Sequence, residues 1–440
     1  MYLEKQLRSF SNQLQRVPFL NRFALRLYGF RSFNPRNTRY KNSNSQELLH
    51  SRSKRNYLVV FDAQCLQTLT WQRGIGKYSL RLISAMCRER PDQNFAVFLT
   101  TVGAREGLDI AKNLLQGLKC PNLEILIFNP FDENKTINLI EAQVKLGEFL
   151  IDIHCNSILN LSVFENPSST IPLPMSHAYK RIGILYDVIP LQMHRQLLIS
   201  RRQRTSYMWS LRLLTQYDLL LSISEESKRH WIELVSSSNQ IHSIFGAGEP
   251  TTKELHMRFE ERFGILSVGA EQPHKNLERL IAAYKLLPNE IQVEHNLVLV
   301  GIRSPGARRR LLNLARGSHG RVIVPPYLES HELDSLYEKS RILVMPSLVE
   351  GLSLPILEAW SHGLVAVGSA NTVAEELIRD QQLLFDPHHA SSMSVTIQNV
   401  LSSKSNWESA SENAVKRSQL ITWSITARRA LSAIDAVTNG

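Results

Sequence analysis

From residue 57 onward, two hydrophobic periods alternate along the chain. Short apolar runs such as 57–61 and 95–100 have the length and composition of buried strands. Between them, apolar positions recur every three or four residues, as in helices that bury one face. Strands that alternate with helices predict parallel sheets wound on both faces. The other elements predicted in the first half are strands 123–128, 181–185 and 219–223 and helices 77–90, 104–118, 201–215 and 225–235.

The alternation breaks at residues 246–262 and restarts at Gly264, so we place a domain boundary there. Two domains also suit a chain of 440 residues, which is too long for one compact core. The predicted fold class is α/β, with two Rossmann-like, doubly wound domains facing a central cleft. The predicted segments are an arm and linker 1–55, an N-terminal domain 56–250, a C-terminal domain 262–420 and a last helix 421–440. Whether that helix crosses back to the first domain is left open.

The second half repeats the alternation with greater regularity. Ligands of such sheets bind outside the carboxyl ends of the strands, which is where the cleft is expected. The predicted strands are 264–268, 297–300, 321–324, 342–345 and 364–367, and the predicted helices are 276–287, 306–316, 330–339, 355–361 and 374–379, followed by helices from about 393 and 422.

The first 55 residues differ from the body in charge. They hold twelve Lys or Arg and two acids, which accounts for ten of the eleven net positive charges. Apolar residues recur at helical spacing in the first part, followed by a polar linker at 34–55. A basic amphipathic stretch is typical of a helix on an anionic membrane surface, through residues 1–30 here. A helix packed on the protein's own body is an equal alternative, and an organelle transit peptide is a third.

The remaining composition narrows the class of protein. The net charge of residues 56–440 is close to zero, which excludes a nucleic-acid partner bound through a basic surface of this part of the chain. The four cysteines lack zinc-site spacing, which predicts no metal site and suits a reducing compartment. No apolar run approaches membrane-spanning length, and the start of the chain lacks a secretory signal. We expect a cytoplasmic protein, with peripheral attachment to the inner face of the membrane as an option.

Residues 346–359 combine features that suit a diphosphate. The segment leads from a strand through a loop at Gly351 into a helix, with Pro355 in the first turn. Free N–H groups and the dipole at such a helix start attract anions. Glu350 and Glu358 could accept hydrogen bonds from sugar or ribose hydroxyls. The alternative is an exposed loop acid and a first-turn Glu that stabilises the helix.

Two other segments offer weaker signals. Lys275 precedes a predicted helix, where a cation could neutralise a diphosphate. The alternative is a solvated Lys beside an Asn that caps the helix. Gly74 and Gly76 are predicted to form a turn that follows a strand and leads into the helix 77–90, so that backbone could approach a ligand closely, although an ordinary tight turn has the same pattern.

Together these segments resemble retaining family 4 glycosyltransferases, which have the GT-B fold and a Glu-x7-Glu signature. The similarity extends over about 61–430. It implies that Glu350 contacts the donor sugar and Glu358 the ribose, and that Lys275 is the main phosphate cation. The donor-binding positions that it adds are Gly269, His274, Gly351, Leu352, Ser353 and Leu354.

The resemblance also marks the acceptor side. Asp187 occupies the Asp of a His-Asp-x-Ile-Pro segment and is a catalytic candidate, with a turn-capping Asp as the alternative. Gly74 and Gly76 match a loop of polysaccharide-building mannosyltransferases that lines the cleft. Ser224 is interpreted as a structural N-cap. The chain departs from the family at three positions, Tyr186, Ala270 and His274.

The function that the resemblance implies is transfer of a hexose, mannose being favoured, from a nucleotide sugar to a glycan or lipid-linked glycan in polysaccharide biosynthesis. GDP-mannose is the favoured donor, and no further cofactor is expected. The chain contains no Asp-x-Asp, so the chemistry is expected to be metal independent. The departures leave a non-catalytic relative that binds or scaffolds as the alternative, with an epimerase or phosphorylase third.

Overall fold

The computed structural model describes residues 56–131, 138–165, 169–235, 237, 239–248, 258–326 and 328–439. The predicted arm and linker, residues 1–55, lie outside this part of the chain. Within it, two parallel sheets with helices on both faces confirm the predicted α/β, doubly wound fold.

The first sheet contains, among the described residues, seven parallel strands in the order β3-β2-β1-β4-β5-β6-β7. Alternate residues of β1 enter different cores, Val59 and Phe61 on one face and Val60 on the other. Both faces are therefore buried, which explains the unbroken apolar runs. The strands are β1 Tyr57–Asp62, β2 Asn94–Thr100, β3 Leu123–Phe128, β4 Ser157–Asn160, β5 Lys180–Leu185, β6 Leu219–Ser222 and β7 Gln240–Ser243.

The helices of this half cover both faces of the sheet. The first helix begins at Gly74, where the loop that follows β1 ends. The helices are α1 Gly74–Glu89, α2 Arg105–Gln116, α3 Leu139–Asp152, α4 Ile189–Gln192, α5 His194–Leu197, α6 Arg201–Leu214 and α7 Glu225–Val235.

The second sheet has six parallel strands in the described residues, in the order β10-β9-β8-β11-β12-β13. The order reverses between β8 and β11, and ligands bind at such a switch point in open α/β sheets. The strands are β8 Ile265–Val268, β9 Leu297–Val300, β10 Val322–Ile323, β11 Ile342–Met345, β12 Val365–Ser369 and β13 Leu384–Phe385. The helices are α8 Leu277–Lys285, α9 Asn289–Glu294, α10 Pro305–Leu314, α11 Ser330–Lys339, α12 Leu354–Ser361, α13 Val373–Ile378, α14 Ala390–Ser402, α15 Lys404–Leu420 and α16 Trp423–Thr438.

The structure corrects the sequence prediction in several places. Gly74 and Gly76 belong to the first turn of α1 and do not form a separate turn before it. A Cβ on Gly76 would lie 2.4 Å from the backbone of Trp71, so a helix can begin here only with glycine at that position. The sequence prediction also missed β4, β7, β13, α3, α4, α5, α9 and the separate helix α15. Among the described residues, no helix is both long and apolar enough to cross a membrane.

The last helix, α16, packs on α1 of the N-terminal half. The guanidinium of Arg90 donates to the carboxylate of Asp435 at 2.8 Å. The ring of Trp423 meets that of Tyr78 edge-on, with centroids 5.1 Å apart. The end of the chain therefore returns to the domain in which the described residues begin.

Candidate functional site

The centre of the candidate site is an ion pair between two residues that the sequence singled out. Lys275 follows β8, Glu350 follows β11, and Lys275 Nζ lies 2.5 Å from Glu350 Oε1. Ser347 Oγ donates to the other carboxylate oxygen at 2.7 Å. Burial by itself would raise the pKa of Glu350, but the charge of Lys275 and the hydrogen bonds from Lys275 and Ser347 outweigh it and lower that pKa. The site therefore holds an ionised carboxylate beside a cation at neutral pH.

The turn that carries Lys275 is built against the loop that carries Glu350. The amide of Leu348 donates to the carbonyl of His274 at 2.8 Å. Asn276 has a φ of 57° and donates from its side chain to the carbonyls of Pro346 and Pro387. Asn276 therefore ties the two loops together and is not the side-chain cap of α8 that the sequence alternative assumed.

His274 and Gly269 flank the lysine. Burial, followed by the charge of Lys275, lowers the pKa of His274 to about 4, so its ring is neutral at pH 7. Gly269 faces the stem of Lys275, with the position of a Cβ 3.5 Å from the lysine Cδ. His274 thus adds no charge, and Lys275 is the cation of this turn.

The loop that carries Glu350 ends at Ser353, which leads into α12 in an unusual backbone conformation. Ser353 caps the helix start with φ 63° and ψ 63°, the left-handed conformation that glycine adopts without strain. Its hydroxyl is buried and has no hydrogen-bond partner among the described residues. Pro355 lies in the first turn, as predicted. Pro355 has no N–H, and the amide of Ile356 donates to the carbonyl of Ser353 at 3.0 Å, so the amides that can face a ligand at the positive end of the helix dipole are those of Leu354 and of the loop before it.

Glu358 lies one turn further along α12 and is half-buried. Its carboxylate accepts a hydrogen bond of 2.7 Å from the hydroxyl of Tyr337 on α11. The ring of Tyr337 stacks on His362, with centroids 5.5 Å apart. No direct bond joins Glu358 to the Lys275–Glu350 pair among the described contacts, so the two glutamates mark separate parts of the loop and helix.

The N-terminal domain approaches this loop through the residues after β5. A Cβ on Gly351 would lie 2.7 Å from the carbonyl oxygen of Tyr186 and 3.3 Å from Asp187 Cβ, so glycine permits the contact. Asp187 accepts a hydrogen bond of 3.0 Å from the amide of Ile189, as the turn-capping alternative predicted. Burial raises the pKa of Asp187, this hydrogen bond lowers it, and the charges of Lys275 and Glu350 reach it with opposite effects. The three catalytic candidates therefore share one electrostatic site across the cleft.

Tyr186, which replaces a family histidine, contributes its backbone to the cleft and its side chain to the core. Its ring meets that of Tyr78 edge-on at 5.7 Å, and its hydroxyl lies 3.3 Å from Ser79 Oγ. Burial raises the pKa of Tyr186 well above its usual value. The phenol therefore packs in the N-terminal core.

The two glycines of α1 differ in what they face. Gly74 is exposed, and its nearest neighbour across the cleft is the Leu354 side chain, 3.8 Å from the position of a Cβ. Gly76 is buried against Trp71. Only Gly74 is therefore placed to line the cleft, and Gly76 serves the packing of α1.

A small polar pocket lies at the carboxyl ends of β1 and β4. Its lining includes Asp62, Asn160, Glu165 and Tyr217. The side-chain N–H of Asn160 donates to Asp62 at 2.7 Å, while the side-chain oxygen Oδ1 of Asn160 has no hydrogen-bond partner among the described residues. Burial raises the pKa of Asp62 to about 7, against hydrogen bonds from Gln64 and Asn160 that lower it. The pocket lies at the carboxyl edge of the first sheet, apart from the Lys275–Glu350 pair.

The structure adds contacts that the sequence prediction missed. Ser224 accepts from the amide of Ser227 at 3.0 Å, which confirms the predicted N-cap, but its hydroxyl also lies 2.5 Å from the carbonyl oxygen of Gly351. Glu376 on α13 accepts from two amides at the start of α7. Arg303 donates to the side chain of Gln72 across the cleft at 3.1 Å. These partners include backbone groups, which sequence motifs do not encode.

Comparison with known families and proteins agrees with this geometry. Residues 250–417 match the family described as Glycosyl transferases group 1. The serotype-specific mannosyltransferase WbdA of Escherichia coli is 25% identical over 397 residues, which cover 85% of this chain and 47% of that protein. The O-antigen chain mannosyltransferase B of Escherichia coli is 33% identical over 159 residues, 36% of this chain and 42% of that protein. The chain thus spans about half the length of these relatives.

Solved structures share the two-domain arrangement at low sequence identity. The sucrose-phosphate synthase of Thermosynechococcus elongatus superposes with a TM-score of 0.63 at 17% identity, over 86% of this chain and 97% of that one. Anabaena HepE in complex with UDP and glucose gives 0.62 at 15% identity, over 86% and 99%. At such identities the likeness establishes the fold alone, and it confirms the GT-B architecture.

Proposed function

We propose, on the premise that the C-terminal domain belongs to the group 1 glycosyl transferases, that this protein transfers a hexose from a nucleotide sugar to a hydroxyl acceptor. The observation that carries the proposal is the Lys275–Glu350 pair at the start of α12, opposite Asp187. A cation, an ionised carboxylate and the amides that lead into a helix there suit a sugar diphosphate. The family match and the two mannosyltransferase relatives support the same class of reaction.

The donor occupies the C-terminal side of the cleft in this proposal. Lys275 and the amides of the loop that leads into α12 neutralise the diphosphate, and the carboxylate of Glu350 accepts from sugar hydroxyls. Glu358 accepts from the ribose, with Tyr337 fixing the orientation of its carboxylate through the 2.7 Å hydrogen bond. Gly269, His274, Gly351, Leu352, Ser353 and Leu354 complete the surface against which the donor lies.

The transferred sugar is mannose, because both curated relatives described above are named mannosyltransferases. The donor is GDP-mannose, as the resemblance of the sequence to polysaccharide-building mannosyltransferases implies. The acceptor is a hydroxyl of a glycan or lipid-linked glycan of a surface polysaccharide. It enters from the N-terminal side, past Gly74 and Asp187.

The reaction forms one bond and breaks one. The acceptor oxygen bonds to the anomeric carbon, and the bond from that carbon to the diphosphate oxygen breaks. The products are the glycoside, the nucleoside diphosphate and one proton. The negative charge that develops on the leaving oxygen is stabilised by Lys275 and the amides that lead into α12, which is where the site supplies rate enhancement. Attack on the face that the diphosphate leaves retains the configuration of the sugar.

The test is a panel of donors. Full-length protein is incubated with GDP-mannose, UDP-glucose, UDP-N-acetylglucosamine and other nucleotide sugars, and release of nucleotide is followed. One donor is expected to release nucleotide, and Lys275→Ala or Glu350→Ala should lower the rate about 100-fold or more, since each removes a preorganised charge. Exposed residues of the same domain provide the controls, Lys285→Ala and Glu278→Ala, which should act like wild type.

Two results would overturn the proposal. Release that persists in both site variants would place the chemistry elsewhere. An absence of release from every donor, with no rise in melting temperature on adding nucleotide, would favour a non-catalytic protein.

A further inference from the structure

The start of helix α7 forms contacts across the cleft that a simple helix cap does not need. Ser224 and Ser227 are both almost fully buried, with 0% and 1% of their surface exposed. Ser224 Oγ lies 2.5 Å from the carbonyl oxygen of Gly351, and Ser227 Oγ lies 3.1 Å from the same oxygen. Ser227 Oγ also donates to the carbonyl of Tyr186 at 2.7 Å. Two hydroxyls of the N-terminal domain thus surround one carbonyl of the loop that carries Glu350.

The same helix start is held from the opposite direction. The two carboxylate oxygens of Glu376 accept from the amides of Glu225 and Glu226, each at 3.1 Å. These amides are among the first of α7, which have no partner within the helix. A carboxylate at this end also interacts favourably with the helix dipole. The cap of an N-terminal helix is therefore completed by a side chain of the C-terminal domain.

The Glu350–Ser353 loop, which Ser224 contacts, is tightly constrained by its own packing and backbone conformation. Gly351 packs against the backbone of Tyr186, where a Cβ would be 2.7 Å from the carbonyl oxygen. Ser353, two residues on, is held in the left-handed region at φ 63°. Glu350 directly precedes the carbonyl to which Ser224 donates, so a shift of that carbonyl shifts the carboxylate that pairs with Lys275.

We propose that Ser224, Ser227 and Glu376 form an interdomain clasp that positions the Glu350–Ser353 loop for the donor. Ser224 and Ser227 are positioning residues, because they act on the donor through the loop carbonyl. Glu376 links the clasp to the approach of the two domains, since its bonds exist only while α13 and α7 are adjacent. The inference rests on the proposed function, whose donor site includes this loop.

The variants are chosen to spare the fold. Ser224→Gly removes the hydroxyl at Gly351, and glycine is tolerated at an N-cap with a small loss of stability. Its matched control is Ser200→Gly, an exposed N-cap of α6 that accepts from the amide of Gln203. Glu376→Gln removes the carboxylate with little change of shape. Its matched control is Glu375→Gln on the same helix, because Glu375 accepts from Asn371 within its own domain.

Two readouts are measured on the full chain. The first is amide hydrogen exchange by mass spectrometry in peptides that cover the start of α7 and the Glu350–Ser353 loop, which requires no activity. Ser224→Gly should speed exchange in the loop, and Glu376→Gln should speed exchange at Glu225 and Glu226, while both controls match wild type. The second is steady-state kinetics with the donor that the wild type uses.

For Ser224→Gly, kcat should fall about tenfold, the value of one hydrogen bond. The dissociation constant for nucleoside diphosphate should change little, because Lys275 and the amides that lead into α12 remain. Unchanged exchange in both clasp variants would overturn the inference whether or not the wild type is active. Faster exchange with unchanged kcat in an active enzyme would also overturn it. A wild type that releases no nucleotide overturns the proposed function instead, and exchange then decides the clasp alone.

Discussion

At the scale of single residues, Ser353 shows how a side chain can oppose the conformation that its position requires. Its φ of 63° lies in the left-handed region, and its buried hydroxyl has no partner among the described residues. Each feature costs free energy, about 1 kcal/mol or more for the backbone and a similar amount for the hydroxyl. Such strain at the start of α12 belongs to the Glu350–Ser353 loop, the donor loop of our proposal, and not to the core.

We predict that Ser353→Gly stabilises the folded protein by about 1 kcal/mol, because glycine relieves both costs at the expense of some chain entropy. The measurement is the free energy of unfolding in urea. Ser200→Gly, at an N-cap with an ordinary φ of −88°, serves as the control and should not stabilise. A loss of stability in Ser353→Gly would show that the hydroxyl makes a favourable contact.

At the scale of elements, the sequence predicted the strands and helices in which an apolar run or a helical period is uninterrupted. The bounds of β9, β11 and α7 agree with the structure to the residue. β4 was missed because Ser157–Asn160 has only two apolar residues at its centre. Gly74 and Gly76 were assigned to a turn because glycine is unfavourable inside helices. In the structure both lie in the first turn of α1, and the close packing of Gly76 on Trp71 requires glycine at that position.

The same contrast holds for the site. Lys275 and Glu350 are 75 residues apart, and no periodicity pairs them; the resemblance to a family assigned both to the donor but did not predict their ion pair. The bond from Ser224 to the carbonyl of Gly351 spans 127 residues and could not be predicted, because every residue has a carbonyl. A sequence therefore shows which side chains can carry the chemistry, whereas the backbone groups that orient those side chains are found only in the structure.

At the scale of the whole molecule, contacts between the halves concentrate at the cleft and at the last helix. α16 returns to α1, Arg303 reaches Gln72, and the start of α7 meets the donor loop. The residues assigned to the donor all lie between 269 and 358, within the C-terminal half. The basic segment 1–55 lies outside the described residues, and its role in bringing the protein to its acceptor is our proposal.

We predict that deleting residues 1–55 abolishes binding to vesicles that contain anionic lipid and leaves nucleotide release from the donor intact. Each basic residue near an anionic surface contributes about 1 kcal/mol, and the segment carries most of the net charge of the chain. Co-sedimentation at low salt measures the binding, with vesicles of neutral phosphatidylcholine as the control. Equal sedimentation of the shortened and full-length proteins would show that the segment is not the membrane contact.

The central claim, that a sugar passes from a nucleotide to a hydroxyl in this cleft, is tested most directly by analysing the product. Full-length protein is incubated with the donor selected by the panel and with mannose-containing oligosaccharides, and products are examined by mass spectrometry and NMR. The account predicts an acceptor heavier by one hexose, linked with the anomeric configuration of the donor, and no such product with Glu350→Ala. A product of inverted configuration, or a donor that binds while no acceptor gains mass, would contradict it.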